Sequence, residues 1–175
     1  RRALQLIQEC ERPVVYAGGG IISGEASAEL REFIEATDFP AVTTLMGLGS
    51  VPSGHRNFIS MPGMHGSYAA NMGMTGTDLL IALGVRFDDR VTGKLTEFAK
   101  HGKIVHVDLD ASEIHKNKEA HIPIVADIRE ALCALNAAFT DSDVPDLTEW
   151  NHQISVWKEK FPLKYADAGD AILQQ

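Results

Sequence analysis

Two arginines and two aspartates fall within five residues at Arg86-Phe87-Asp88-Asp89-Arg90, directly after an apolar run that ends at Gly84 and Val85. In a chain of formal net charge −8, such guanidinium groups are charge-assisted donors suited to phosphate or carboxylate. The same residues also read as a solvated ion-pair loop, with Asp88 and Asp89 neutralising the arginines. A second segment, Gly18-Gly19-Gly20, would let a ligand approach the backbone and would turn amides toward a phosphate at a helix start. It reads equally as a tight strand-to-helix turn. Gly18 and Gly20 supply a GxG, but Ser23 stands at the third glycine position of the dinucleotide fingerprint, with Gly24 one residue late. A nicotinamide-binding unit would also place an acid after the second strand. That strand ends in Thr43-Thr44, and the acid appears later, at Asp108.

His65 could stack on or hydrogen-bond a ring system, or simply start a helix. Met46, Met61, Met64, Met72 and Met74 cluster in the same region, and thioethers suit the wall of a pocket for a flat ligand as well as an ordinary core. Other chemistries lack their residues. There is no GxSxG elbow, no P-loop, and no GDG segment followed by asparagine, since Gly169-Asp170 is followed by Ala171. Cys10 and Cys133 form no CxxC pair, the seven histidines are scattered, and no metal site is expected. Both cysteines fall on the apolar side of helical patterns and are expected to be buried thiols in a reducing, cytoplasmic setting.

These residues must be held by a scaffold, and its pattern is regular. Apolar runs at Val14–Ala17, Ala41–Thr44, Asp78–Leu83, Lys103–Val107 and Ile122–Val125 predict strands. Helical spacing predicts helices over Ala3–Glu9, Ala26–Thr37, His65–Met74 and Asp127–Phe139, the last capped by Asp127. Strands apolar along their length and separated by helices indicate a doubly wound α/β domain, its mainly parallel sheet of about five to six strands covered on both faces, with right-handed crossovers. In such a sheet ligands bind beyond the carboxyl ends of the strands. The residues there are Gly18–Gly20, Thr44–Gly47, Gly84–Arg90, Asp108–Asp110 and Ala126-Asp127.

Residues 1–139 of the 175 fit one domain of ordinary size. Residues 140–175 open on a polar linker, Thr140–Asp146, and continue into an amphipathic helix over Leu147–Phe161. Its stripe of Trp150, Ile154, Trp157 and Phe161 fits either core or a docking face. The acidic balance argues against nucleic acid and anionic membrane as partners. No apolar run approaches the ~20 residues needed to span a bilayer, and no signal peptide is expected. The chain opens directly into a helix and ends in AILQQ, the form of a piece of a longer protein.

Taken in order, Ala17-Gly-Gly-Gly20, Thr43-Thr-Leu-Met-Gly-Leu-Gly49, Gly63-Met-His-Gly66, Gly84-Val-Arg-Phe-Asp-Asp-Arg-Val-Thr-Gly-Lys94 and Lys103-Ile-Val-His-Val-Asp-Leu-Asp110 resemble the central domain of the acetolactate synthase family of thiamine-diphosphate enzymes. The resemblance covers roughly Arg12 to Phe139, and its most specific run is the one from Gly84 to Lys94. The glycine-rich and Gly-Met-His-Gly pieces alone would fit other thiamine-diphosphate enzymes. A stand-alone nucleotide-binding module remains the reading from another class.

The resemblance implies the central-domain (DHS-like) form of the fold, in a subunit that condenses pyruvate with a second 2-ketoacid for branched-chain amino acid biosynthesis. It implies FAD across this domain in a mainly structural role, with thiamine diphosphate and Mg2+ held by other domains. It further implies a homodimer or homotetramer, and a small regulatory subunit as a further partner. By position, Gly18, Gly19 and Gly20 would lie near the FAD diphosphate and ribityl chain. Thr44, Leu45, Met46, Gly63, Met64 and His65 would line that chain and the flavin ring. Gly84, Val85, Arg86, Asp88, Arg90 and Val91 would contact the flavin side and ribose, and Asp108, Leu109, Asp127 and Ile128 the adenosine end. No catalytic group is implied here, but Arg90 would bind the carboxylate of the second ketoacid, beside a channel flanked by Met64 and Asp89. The stripe of Trp150 and Trp157 would face partners outside this chain. Two positions depart from the pattern: Ala126 where glycine commonly stands, and Pro62 where leucine does.

Overall fold

The computed structural model describes residues 1–139 and 144–164. Part of the expected linker and the Gly169-Asp170 pair lie outside the described residues. The elements run α1 (Arg2–Glu9), β1 (Pro13–Ala17), α2 (Gly19–Ser23), α3 (Ser27–Thr37), β2 (Ala41–Thr43), a 3-10 turn (Leu45–Gly47), α4 (Tyr68–Gly76), β3 (Leu79–Leu83), α5 (Asp89–Thr92), β4 (Lys103–Asp108), β5 (Ile122–Val125), α6 (Ile128–Ala138) and α7 (Thr148–Lys160).

The five strands form one sheet in the order β2-β1-β3-β4-β5. Every pairing in it is parallel. Side-chain alternation along the strands divides the core in two. Val15, Ala17, Ile81, Leu83, Val105 and Val107 face a cluster built with Ile7 of α1, Phe33 of α3 and Leu132 of α6. Val14, Tyr16, Leu80, Ala82 and Ile104 face the other, with Ala70 and Met74 of α4 and Trp150 and Ile154 of α7. Helices therefore cover both faces, as strands without a polar side require.

Most elements lie where periodicity puts them, and the shifts at their ends trace to particular side-chain hydrogen bonds. β3 begins one residue late because Asp78 turns its carboxylate back, accepting the Glu11 amide at 2.8 Å and the Arg12 amide at 2.9 Å. α4 begins at Tyr68, not at His65, because Ser67 caps it by accepting the Ala70 amide at 3.1 Å. His65 is thus an exposed turn residue. Asp127 caps α6 as expected, accepting the amides of Arg129 and Glu130. β4 and β5 are joined by turns rather than a helix: Asp108 accepts the Asp110 amide, and Asp110 the Ser112 amide. Such side-chain-to-backbone bonds offer the chain an alternative to helix.

The aromatic stripe of α7 divides between the two readings. Trp150 and Ile154 are core, and the Trp150 indole donates to the Pro13 carbonyl at 3.0 Å, tying α7 to β1. Trp157 is half-buried against Trp150, with ring centroids 5.8 Å apart. Phe161 is exposed and lies on Tyr68 at 4.1 Å. For Trp150 and Ile154, the implied contact with outside partners is corrected: they pack on the sheet of their own chain.

The cysteines also differ from each other. Cys10 is buried and donates to the Ile7 carbonyl; burial, with the charge of Asp78, pushes its thiol up to about 12. Cys133 is exposed, a correction. The inward residues of α6 are Ile128 and Leu132, with Leu135 partly so, and residue 133 is ~100° around the helix from Leu132. We expect a thiol reagent to modify one cysteine of the native chain promptly, lost in Cys133→Ser, and Cys10 only on unfolding. Two promptly reactive thiols would contradict this packing.

Candidate functional site

The chain leaves β1 toward β2 on one side and returns to β3 on the other, so the strand order reverses between β1 and β3. Such a reversal opens a crevice beyond the carboxyl ends of the strands. Gly18–Gly20 and Gly84 meet at that point. A Cβ on Gly18 would lie 2.1 Å from the Gly84 carbonyl oxygen, and one on Gly20 would lie 2.7 Å from the Gly84 Cα. Gly84 itself has φ +59°, where a side chain is strained as well as obstructed. The Gly18 amide donates to the Leu83 carbonyl at 2.9 Å and the Gly20 amide to the Gly84 carbonyl at 3.2 Å. The tight-turn reading of the triple glycine therefore holds. Two of its amides lock the turn onto β3, and the Gly19 amide, at the first residue of α2, is the one these bonds leave over.

The β2 loop closes on the same place. A Cβ on Gly19 would touch the Met46 Cβ at 3.0 Å, and one on Gly47 would meet the Ala17 carbonyl at 2.6 Å. The Thr44 hydroxyl caps the 3-10 turn by accepting the Gly47 amide at 3.1 Å, so it serves the loop's shape. Leu45 is 67% exposed, Met46 71% and Met64 81%. Apolar side chains this exposed beside the strand tips offer an uncovered wall for an apolar ring.

The Gly63-Met64-His65 segment is held by two contacts. Asn71 on α4 accepts the Gly63 amide at 2.8 Å and donates back to its carbonyl at 3.0 Å. Gly63, at φ +99°, is so near the Arg90 carbonyl that a Cβ would sit 2.9 Å from it. Beside this contact, Pro62, Asn71, Val91, Thr92 and Phe98 border a groove of about 390 Å³.

The charged loop holds one weak ion pair, and its first carboxylate is engaged as a cap. Asp88 caps α5 by accepting the Arg90 amide at 3.0 Å. That bond, a bond from Asp89, and the charges of Arg86 and Arg90 hold its carboxyl below the usual range. Asp89 and Arg90 approach only to 3.7 Å, both largely exposed, a pair worth little in water. Among the described residues Arg86 has no ion-pair partner, and it is exposed. Phe87 between these residues is buried, at φ +49°. A left-handed backbone costs such a residue about 1–2 kcal/mol, and the turn is held by rings packed around it.

At the far end the Ala126 amide donates to the Asp108 carbonyl at 3.1 Å, joining the tips of β4 and β5. Leu109 is 70% exposed. Val85 and Ile128, however, are buried. Their side chains pack inside the chain, and Ile128 lies so close to Gly24 that a Cβ on that glycine would be 2.5 Å away.

Three residues that order this region escaped the sequence reading: Asn71, Asn117 and His106. The Asn117 side chain donates through Nδ2 to the Arg86 carbonyl at 3.0 Å. His106 on β4 is fully buried, with Nε2 2.8 Å from the Val85 carbonyl. The partners of Asn117 and His106 lie 31 and 21 positions away, and that of Asn71 lies in a loop eight positions back, so periodicity carries no sign of them. A histidine inside an otherwise apolar strand was the one available signal.

Residues 1–135 match the family model for the thiamine pyrophosphate enzyme central domain. Acetolactate synthase 2, chloroplastic, of Nicotiana tabacum is 47% identical over 175 residues, covering 98% of this chain and 26% of the tobacco protein. Acetolactate synthase 1, chloroplastic, of Zea mays is 48% identical over 178 residues, 99% of this chain and 27% of the maize protein. The acetolactate synthase large subunit IlvB1 of Mycobacterium tuberculosis is 44% identical over 176 residues, 99% of this chain and 28% of its own length. The chain thus spans about a quarter of the length of these curated relatives.

Proposed function

Since the chain belongs to the thiamine pyrophosphate enzyme central-domain family, we propose that it is the flavin-holding middle domain of an acetolactate synthase catalytic subunit. The observation that carries this reading is the crevice at the β1/β3 reversal, where Gly18, Gly20 and Gly84 pack together beside the exposed Met46, with Arg86, which has no ion-pair partner among the described residues, two positions beyond Gly84. An extended FAD needs these parts in one line. It requires close backbone at the diphosphate, an apolar wall at the ring, a cation for negative charge and polar tips at the ribose and adenine.

In this reading the Gly19 amide and Arg86 hold the anionic centre of the cofactor. Leu45, Met46, Gly63, Met64 and His65 border the isoalloxazine, and Asp108, Leu109 and Asp127 the adenosine. Once bound, FAD supplies a rigid filling that orders these loops. The chain's residues position and exclude water, and none transfers a proton. Arg90, exposed at the rim with Asp89 and Met64, binds the carboxylate of the incoming 2-ketoacid. The carboligation itself, with thiamine diphosphate and Mg2+, belongs to domains of the whole subunit, toward one of which residues 140–175 lead. That subunit makes precursors of branched-chain amino acids as a homodimer or homotetramer, with a small regulatory subunit as a further partner. Nucleic acid is not a partner in this reading. Among the described residues no helix is long and apolar enough to cross a membrane, and the two free thiols fit the cytoplasm.

Titration of this chain with FAD, followed by flavin fluorescence, tests the reading. Saturable one-to-one binding is expected, weaker than in an intact subunit because walls from other domains are absent, with no acetolactate formed from pyruvate. Acetolactate turnover by this chain alone, or NAD binding as tight as FAD, would overturn it.

A further inference from the structure

We propose that His106 is the positioning residue of the Arg86 loop, a role that rests on the flavin reading for its consequence but not for its geometry. His106 stands on β4 in register with Ala82 of β3, which is in register with Tyr16 of β1. Its ring is wholly buried. Nε2 lies 2.8 Å from the Val85 carbonyl, which can only accept, so Nε2 carries the proton and donates. Among the described residues Nδ1 has no hydrogen-bond partner. Burial lowers the ring's proton affinity, against the opposing pull of the Val85 carbonyl and of Asp108 and Glu113, so the ring is neutral at neutral pH.

A buried imidazole with one nitrogen unsatisfied is a costly way to fill a core next to Ile104, Val105 and Val107. What it does that an apolar side chain would not is hold a carbonyl that has left the strand ladder. Val85 is the second residue beyond β3, and Gly84 is the last there to donate into β4, to the Val107 carbonyl at 2.9 Å. After Val85 the chain must present Arg86, bury Phe87 and expose Asp88. It does so through the left-handed turn at Phe87. The edge of the His106 ring meets the Phe87 ring, with centroids 5.0 Å apart at 77°. Tyr16 and Phe98 close the other sides at 6.1 and 6.0 Å. One side chain therefore holds the turn twice, by its carbonyl at Val85 and by its ring at Phe87. Arg86, between those two points, is held at its carbonyl by Asn117, while its side chain has no ion-pair partner among the described residues.

The test compares His106→Phe, which keeps the ring and removes the donor, with His106→Gln, which restores a donor of similar reach. One lost hydrogen bond corresponds to about a tenfold effect. Amide hydrogen exchange without ligand is expected to quicken about tenfold across residues 85–91 in His106→Phe, with β1 and β3 protected as before. FAD affinity should fall about tenfold in His106→Phe and return to within about threefold in His106→Gln. In an Arg86→Ala background the His106→Phe change should add less than about twofold, since its effect passes through Arg86. Exchange that rises uniformly over the sheet, or an equal loss of FAD affinity with and without Arg86, overturns the proposal. Should His106→Phe not fold, His106→Asn, too short to reach Val85, takes its place. If the wild-type chain binds no FAD, the cofactor reading fails, and the exchange profile alone decides the role of His106.

Discussion

Gly18→Ala is expected to lower the midpoint of thermal unfolding by about 6–12 °C, corresponding to about 3 kcal/mol in a domain of this size. The new methyl would sit 2.1 Å from the Gly84 carbonyl oxygen and 2.7 Å from Val85 Cγ1. Neither obstacle is the end of a flexible side chain free to swing away. The loop after β3 would have to withdraw, stretching the Gly18–Leu83 and Gly20–Gly84 bonds. Overpacking in a close-packed interior costs about 1–3 kcal/mol, and each weakened bond adds about 1 kcal/mol. Gly54→Ala is the control, since a Cβ there meets nothing within 4 Å, and it should stay within about 0.5 kcal/mol of wild type. FAD binding should weaken with Gly18→Ala as well, because the same displacement opens the crevice. A midpoint matching that of Gly54→Ala would mean that the β1 and β3 loops do not touch.

Arg86→Ala separates binding from folding. The side chain is exposed and has no ion-pair partner among the described residues, so its removal should leave stability within about 0.5 kcal/mol. FAD affinity should fall by about 1.5–3 kcal/mol, roughly ten- to a hundred-fold, the range of a hydrogen bond to a charged group. Arg86→Lys should recover only part of this, since an ammonium lacks the planar fork. Flavin titration decides it, and an unchanged affinity would remove Arg86 from the site. The contrast with Gly18→Ala is diagnostic: one substitution changes the shape of the crevice, the other only its charge.

Much of the fold was legible because it rests on local pattern. All five strands and the helices α1, α3, α6 and α7 lie within a few residues of the periodic runs, and Asp127 caps α6 as its position predicts. Where reading failed, a distant partner had intervened. Asp78 left its strand to hold the Glu11 and Arg12 amides. Trp150 belongs to the core because the Pro13 carbonyl lies beneath its indole, 137 positions away in sequence. Cys133 is exposed because α6 turns toward α3 and the sheet only the face of Ile128 and Leu132. No residue near these positions in the chain could have signalled those outcomes.

The candidate site divides the same way. Sequence by itself determined the residue types at each strand tip and that the strands are parallel, because an apolar strand with helices either side has no other stable use. It thereby determined that glycines, methionines and arginines share one edge of the sheet. Only the tertiary structure decided which tips touch. The order β2-β1-β3-β4-β5 brings Gly18 and Gly20 against Gly84, and nothing along the chain encodes which strand lies beside β1. It also decided that Asp88 is occupied as a cap while Arg86 has no ion-pair partner among the described residues, and that His106 reaches across from β4 to hold the turn between them. Side-chain period is a property of neighbours in sequence. Strand order and the partner of a buried polar atom are properties of neighbours in space, set by packing over the whole sheet.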